Sequence, residues 1–322
     1  MPEYTINKEN TNQWKHDIQD SVTYYNYWFL NFAPSAYIES HNKARMLVDH
    51  VFERTNDLNP ITADLICSVP QAITVLRMIT TPPLARDRLV GLANVSKSFI
   101  EKLEESDENE ITLKKQKGFR EKIERIIEVI SELLDTGLIA WVNQRETPEE
   151  SKVRLVKEIV ADRISSSMAD PFIRNEQEKR QKGKIKTFLE KNGYKFVDAA
   201  EITSFKSMES GTFSFGLNVP VMQNKDKVDM PIDVVIMRKK TSENGMPLLI
   251  ECKSAGDSAN TNKRRKEEAT KMKQLKDTYG DEVEFILFLG GYFGKKYLEY
   301  EANEGIDWVW EHRIEDFLKA GV

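Results

Sequence analysis

Residues 231–253, PIDVVIMRKKTSENGMPLLIECK, constrain the fold more than any other stretch of the chain. Two short apolar runs flank a polar turn ending in Glu243-Asn244-Gly245. Such runs with a glycine-containing connection read as a β-hairpin. A helix-like charged segment over roughly 261–279 follows, and then a continuous apolar run, VEFILFLGG, at 283–291. A strand without polar alternation is covered on both faces. Hairpin, helix and buried strand in that order predict a mixed sheet with helices packed against it.

The hairpin also carries charge. Side chains alternate along a strand, so Leu249, Glu251 and Lys253 share one face of PLLIECK, and Leu248, Ile250 and Cys252 share the other. One face then fills a core while Glu251 and Lys253 project together. The turn brings Asp233 back toward Glu251, in a register that the sequence leaves open. Two carboxylates on neighbouring strands repel unless something neutralises them. An oxygen-liganded divalent cation does this, and Mg²⁺ is typically held by one or two carboxylates, waters and a substrate phosphate. Such a metal activates water and stabilises phosphoryl oxygens, and a lysine nearby offsets developing charge. The alternative is an exposed strand edge on which Lys253 is an ordinary salt-bridge partner, the usual meaning of an isolated Glu-x-Lys.

The surrounding pattern divides the chain into a mostly helical part, 1–168, and a mixed part, 169–322. In the first, one long helical stretch is expected to break near Pro34, and FREKIERIIEVISELLDTGLIAWV presents a broad apolar stripe from Ile123 to Leu134. A further helix is expected to end near Met168. In the second, Asp170 and Pro171 mark a helix start and Gly193 its stop. Strands are expected at YKFVDA, GTFSFGLNVPVM, VDMPIDVVIMRKK, MPLLIECK, VEFILFLGG and GIDWVW, a loop at GGYFGKKY and a terminal helix at IEDFLKA. The fold class is therefore α/β (α+β): a helical N-terminal domain followed by a mixed central sheet flanked by helices.

At 322 residues, 40% hydrophobic and 31% charged, the chain has enough apolar content for a normal core. No apolar run approaches the roughly 18 residues of a membrane span, and the polar N-terminus lacks a signal-peptide pattern. The cytoplasm is the expected location. Cys67 and Cys252 have no metal or disulfide spacing, and the four histidines are scattered. A net charge of −5 argues against a protein that coats nucleic acid, but EKRQKGKIK and NKRRK leave room for a local basic cleft.

Pro231-Ile232-Asp233 and Glu251-Cys252-Lys253 resemble the two half-motifs of the PD-(D/E)xK nuclease superfamily. The match extends through WKHDIQDSVTYYNYWFLNFAP, TTPPLARDRLVGLANVS, ADPFIRNEQEKRQ, NVPV, PIDVVI, ECKSAGDSANTNKRRKEEA and GGYFG, which together resemble the XamI family of type II restriction endonucleases. The resemblance covers most of the chain. It implies Mg²⁺-dependent cleavage of double-stranded DNA at a short palindrome, GTCGAC or a related site, leaving 5′-phosphate ends. Residues 1–168 then serve DNA binding and dimerisation, and residues 169–322 form the catalytic domain. Asp233 and Glu251 are the expected metal ligands, with the Cys252 backbone carbonyl as a further one, and Lys253 assists the attacking water. A two-fold site suits a homodimer. A cognate DNA methyltransferase is the expected functional partner, and no membrane is involved. A structure-specific repair or recombination nuclease of the same fold, or a non-catalytic DNA-binding module, are the alternatives.

The superfamily often adds a helix-borne glutamate. On a helical wheel Glu178 falls on the side of Ile185, Phe188 and Leu189, whereas Glu176 points away, which makes Glu178 the expected third acid. Gln177 and Gln181 interrupt the same face and are expected near DNA. Asn260, Thr261, Asn262, Lys263, Arg264 and Arg265 lie at a helix start directly after the catalytic strand. Free N–H groups there suit phosphate, and asparagine and arginine suit base edges.

Overall fold

The computed structural model describes residues 5–106, 117–142, 147–223, 226–240, 245–258 and 261–322. No described helix is long and apolar enough to cross a membrane. The chain forms two compact units, Ala33–Ile173 and a second built from Met1–Phe32 together with Arg174–Val322. The division expected after residue 168 is thus displaced. The first 32 residues cluster with the sheet, because Asn7 and Trp14 anchor there. The Ile6 and Asn7 N–H groups donate to Asp307 at 2.7 and 2.8 Å, and Trp14 packs on Trp308 at 5.4 Å between ring centroids.

Both unit boundaries lie inside long helices. Helix α1 spans Thr11–Arg54 and runs through Pro34, where a break was expected. A helix over Glu150–Lys191, designated α7 below, likewise runs through Pro171, where one helix was expected to end and another to begin. A helical proline frees the carbonyl four residues back. The segments around both prolines are exposed, with Leu30 at 70% and Met168 at 44%, so water can serve the freed groups.

Among its described residues, unit Ala33–Ile173 is built of helices, with one isolated bridge, Thr80↔Leu134. Between the long helices lie α2 (Ala63–Ser68), α3 (Ala72–Met78), α4 (Arg86–Ala93), α5 (Lys97–Glu105) and α6 (Phe119–Glu132). From the expected stripe Ile123, Ile126 and Ile130 are fully buried, with Ile127, Val129, Leu133 and Leu134 packed around them. Arg77 is buried and balanced by Glu104 at 2.6 Å, while its Nη1 donates to the Leu84 carbonyl at 2.6 Å.

The sheet unit has six strands in sequential order: β1 (Lys195–Phe196), β2 (Thr212–Gln223), β3 (Asp226–Met237), β4 (Leu248–Ala255), β5 (Glu284–Gly291) and β6 (Asp307–Trp310). The pairs β2–β3 and β3–β4 are antiparallel, and β1–β2, β4–β5 and β5–β6 are parallel. Helix α8 (Thr261–Tyr279) connects β4 to β5, and α9 (Lys295–Asn303) connects β5 to β6. The chain is therefore α+β, with a mixed sheet flanked by helices. Two of the expected elements differ. Of GGYFGKKY only residues 292–294 form a connection, with Phe293 buried, because β5 runs to Gly291 and α9 begins at Lys295. The terminal IEDFLKA segment belongs to a 3₁₀ stretch, Glu311–Ala320, kinked at Arg313.

One core lies on each face of the sheet. Ile185 and Leu189 of α7 pack with Leu248, Ile250 and Phe288, and Met272 and Leu275 of α8 pack with Leu249, Leu287 and Leu289. Strands β2 and β3 exchange faces partway along. Phe213 belongs to the α7-side core, yet Leu217 and Val219, of the same parity, belong to the other; Val234 and Ile232 behave alike. The exchange falls at Gly216, whose φ of +66° is open to glycine with little penalty. Gly216 stands across from Asp233, between the paired residues Phe215↔Val234 and Leu217↔Ile232.

Candidate active site

The pairing of β3 with β4 ends at Val234↔Ile250. Continued by one residue it sets Asp233 opposite Glu251, where the ladder stops and the strands separate. The Cys252 N–H, released from the ladder, donates to Asp233 Oδ2 at 2.9 Å. Both acids therefore sit at the mouth of a splay between strands whose other ends are fully buried.

The two acids are screened differently. Glu251 is only 3% exposed, deeper than the projecting face read from alternation, because α8 covers it. Its Oε2 is 3.1 Å from Lys253 Nζ, and its Oε1 accepts from Lys271 Nζ at 2.5 Å. Asp233 Oδ1 lies 3.8 Å from Lys182 Nζ of α7. Burial first, and then the nearby Glu251 charge, raise the Asp233 carboxyl above its ordinary pKa, although the Cys252 N–H opposes this. Burial works against the Lys253 ammonium, but Glu251 and Glu268 hold its pKa above the usual lysine value. Burial and Asp233 push the Cys252 thiol well up, so it is a neutral neighbour rather than a thiolate ligand.

A cavity of about 220 Å³ opens beside these groups, lined by Arg174, Gln177, Glu178 and Gln181 of α7 together with Asp233, Cys252, Lys253, Ser254 and Glu267. Glu178 stands at its rim, 55% exposed and paired with Lys182 at 2.6 Å. It is more exposed than its wheel position suggested, because the wheel side shared with Ile185 faces the core only below the cavity.

The glutamines have structural partners. Gln181 is 1% exposed, and its Nε2 donates to the carbonyls of Lys253 and Phe288 at 3.2 and 3.3 Å. It ties α7 to the strand that bears the lysine and is almost wholly removed from solvent. Gln177 donates to the Tyr25 hydroxyl. Tyr25 and Ser21 of α1 brace the ends of β4 and β5; Ser21 Oγ bonds both the N–H and the carbonyl of Gly291, at 2.9 and 3.1 Å. Thr261 is buried, and its hydroxyl donates to the Ser258 carbonyl at 2.9 Å. Asn260 lies outside the described residues, as do the side chains of Asn262, Lys263, Arg264 and Arg265.

Lys271 and Glu268 were not foreseen from the sequence. Their signal is spacing: Glu268, Lys271, Met272 and Leu275 follow the i, i+3, i+4, i+7 pattern of one helix face. Two charges on a stripe that otherwise enters the core require buried partners.

Among the described residues no three His, Cys, Asp or Glu side chains converge as a metal cluster. The donors at hand are two carboxylates and backbone carbonyl oxygen. This set suits Mg²⁺, which binds few protein carboxylates and completes its shell with water and phosphate. Burial first and the Glu251 charge second disfavour the Asp233 carboxylate, a cost that a cation between the two would relieve.

Comparison with known proteins shows the family of the chain. The XamI restriction endonuclease family profile matches residues 56–310. The type II restriction enzyme SalI of Streptomyces albus G is 42% identical over 318 residues, 98% of this chain and 99% of its own. A solved protein, VC1899 from Vibrio cholerae, aligns over 85% of this chain and 57% of its own at 12% identity and a TM-score of 0.28, a likeness too slight to carry an argument. Matched over most of its length, and with its acids and lysine gathered at one strand splay, the chain belongs to the XamI restriction endonuclease family.

Proposed function

We propose that this restriction endonuclease is a Mg²⁺-dependent enzyme that cuts both strands of a short palindrome in duplex DNA, GTCGAC or a related sequence, and leaves 5′-phosphate and 3′-hydroxyl ends. The observation that carries the reading is the meeting of Asp233, Glu251 and Lys253 where β3 and β4 part. Asp233 and Glu251, with the Cys252 carbonyl, would hold the metal. When bound, Mg²⁺ supplies Lewis-acid polarisation of the phosphoryl oxygens and a more acidic water.

The chain's own groups do the rest. Lys253 orients the attacking water and offsets negative charge as the water oxygen bonds to phosphorus and the 3′ oxygen departs. Gln181 fixes the strand that carries Lys253. Glu178 at the cavity rim is a third acid able to reach a second cation or an outer water. Arg174 and Lys182 bring positive charge for phosphate. The helix start at 261–265 is the proposed DNA-facing edge, and the helical unit contributes further DNA contacts and dimerisation. A homodimer matches a two-fold site, with a methyltransferase of the same specificity protecting the host and the cytoplasm as the place of action.

The test is cleavage of end-labelled duplexes with and without Mg²⁺, mapped to the nucleotide. Discrete symmetric cuts at one short sequence, dependent on Mg²⁺, support the reading. Preference for branched or damaged DNA over every intact duplex would instead support a repair nuclease, and binding without cleavage under any divalent ion a non-catalytic module.

A further inference from the structure

Behind Lys253, away from the cavity, lies a second group of buried acids. Glu268 of α8 and Glu301 of α9 are both 0% exposed, and Tyr297 is buried between their helices. Glu268 Oε1 lies 3.7 Å from Lys253 Nζ, and Glu268 Oε2 accepts from the Tyr297 hydroxyl at 2.7 Å. Lys253 therefore has two carboxylate partners, Glu251 on the cavity side and Glu268 on the interior side. Core packing does not require this arrangement, since a buried carboxylate is costly unless charge or donors meet it. The Tyr297 hydroxyl is given to Glu268, so with both acids ionised the Glu301 oxygens have no well-formed hydrogen bond. A proton on Glu301 removes that deficit, since it supplies the donor that two adjacent carboxylates lack.

We infer that Glu268 is a positioning residue for the reaction: it holds Lys253 in place when Glu251 turns to the metal, and Tyr297 with protonated Glu301 holds Glu268. The inference rests on the proposed roles of Glu251 and Lys253. Glu251 Oε2 now binds Lys253, at 3.1 Å. Once that carboxylate serves a cation, its hold on the lysine weakens, and a long flexible side chain with one weakened partner loses its alignment. Glu268 is the ion-pair partner of Lys253 that the metal does not claim. It is fixed by α9 rather than by the strand, so it does not move with Glu251. The group thus couples the geometry of α8 and α9 to the reacting end of β4.

The experiment compares wild type with Glu268→Gln, Glu301→Gln, Glu301→Leu and Tyr297→Phe. It measures single-turnover cleavage at saturating DNA, DNA affinity without divalent metal, thermal stability, and the rate at which an amine-acylating reagent labels Lys253 in metal-free protein, read by peptide mass spectrometry. Wild-type cleavage is the control: if wild type does not cut, the proposed function fails, and labelling of Lys253 still tests the contact with Glu268. Glu268→Gln is expected to slow single-turnover cleavage by about 10- to 100-fold, with DNA affinity unchanged and Lys253 labelled faster. Glu301→Gln, which keeps a donor toward Glu268, should stay close to wild type, whereas Glu301→Leu should follow Glu268→Gln. Should Glu268→Gln not fold, Tyr297→Phe carries the test, with a several-fold smaller rate and unchanged affinity expected. A folded Glu268→Gln, or in its place a folded Tyr297→Phe, that cleaves and labels like wild type overturns the inference.

Discussion

The Cys252 backbone N–H donates to Asp233 Oδ2 at 2.9 Å, just beyond Val234↔Ile250, the last paired positions of their strands. A side chain has taken over where the ladder stops, so Asp233 closes the end of the hairpin and faces the site at the same time. The two roles separate by substitution. Asp233→Asn keeps the acceptor and discards a charge that burial and Glu251 disfavour. Its melting temperature should equal or exceed that of wild type, while cleavage falls about a hundredfold or more. Asp233→Ala leaves the N–H unsatisfied and should cost about 1–3 kcal/mol. Thermal melts of the two variants side by side check this, and an Asn variant less stable than the Ala variant would contradict it.

Much of this was legible in the sequence. The turn-linked apolar runs and the continuous run at 283–291 place β3, β4 and β5 because period and apolarity are local properties. The face exchange across from Asp233 falls at Gly216, a positive-φ residue on a neighbouring strand, and no feature of residues 231–253 announces it. Pro34 and Pro171 read as breaks because a local rule ignores solvent at the freed carbonyls. Gln181 read as a DNA contact because a polar residue on an inward face looks functional until the carbonyls of Lys253 and Phe288 are seen beside it.

Gly216 gives a direct test of the face exchange. No atom lies within 4 Å of a β-carbon built there, so substitution meets no clash and only the backbone resists, at φ +66°. Gly216→Ala should lose about 1 kcal/mol or more. Gly216→Asn should lose less, since asparagine tolerates the left-handed region. Urea unfolding of both variants measures the order, and equal losses would mean that the backbone conformation is not the cause.

Lys271 donates to Glu251 Oε1 at 2.5 Å, where a cation would also bind. A metal must displace or rearrange that contact. Lys271→Gln removes a positive charge from the ligand and should tighten binding of Mg²⁺ or Ca²⁺ several-fold, on the order of 1 kcal/mol. Calorimetric titration without DNA reads this directly. Weaker metal binding in the variant would show that Lys271 supports the site rather than competing for it.

Glu301 predicts a pH dependence of stability. Burial, then the adjacent Glu268, push its pKa up to about 9. Between the ordinary carboxylate range and that value the native protein keeps a proton that the unfolded chain has released. Unfolding free energy therefore falls as pH rises through this window, by at most about 1.4 kcal/mol per pH unit, and levels off above it. Glu268, Tyr297 and Glu304 are the titratable groups around it. Glu301→Gln lacks the titration, so its stability relative to wild type should climb from pH 5 to pH 9. A constant difference across that range would place the proton elsewhere.

Plasmid cleavage by wild type, Asp233→Ala and Lys253→Ala in Mg²⁺, with DNA binding measured in parallel, tests the central claim most directly. Wild type should give a fixed set of fragments, and both variants should bind DNA yet leave the plasmid uncut. Full cleavage by either variant, or no discrete fragments from wild type on DNA that a control nuclease cuts, would contradict the account.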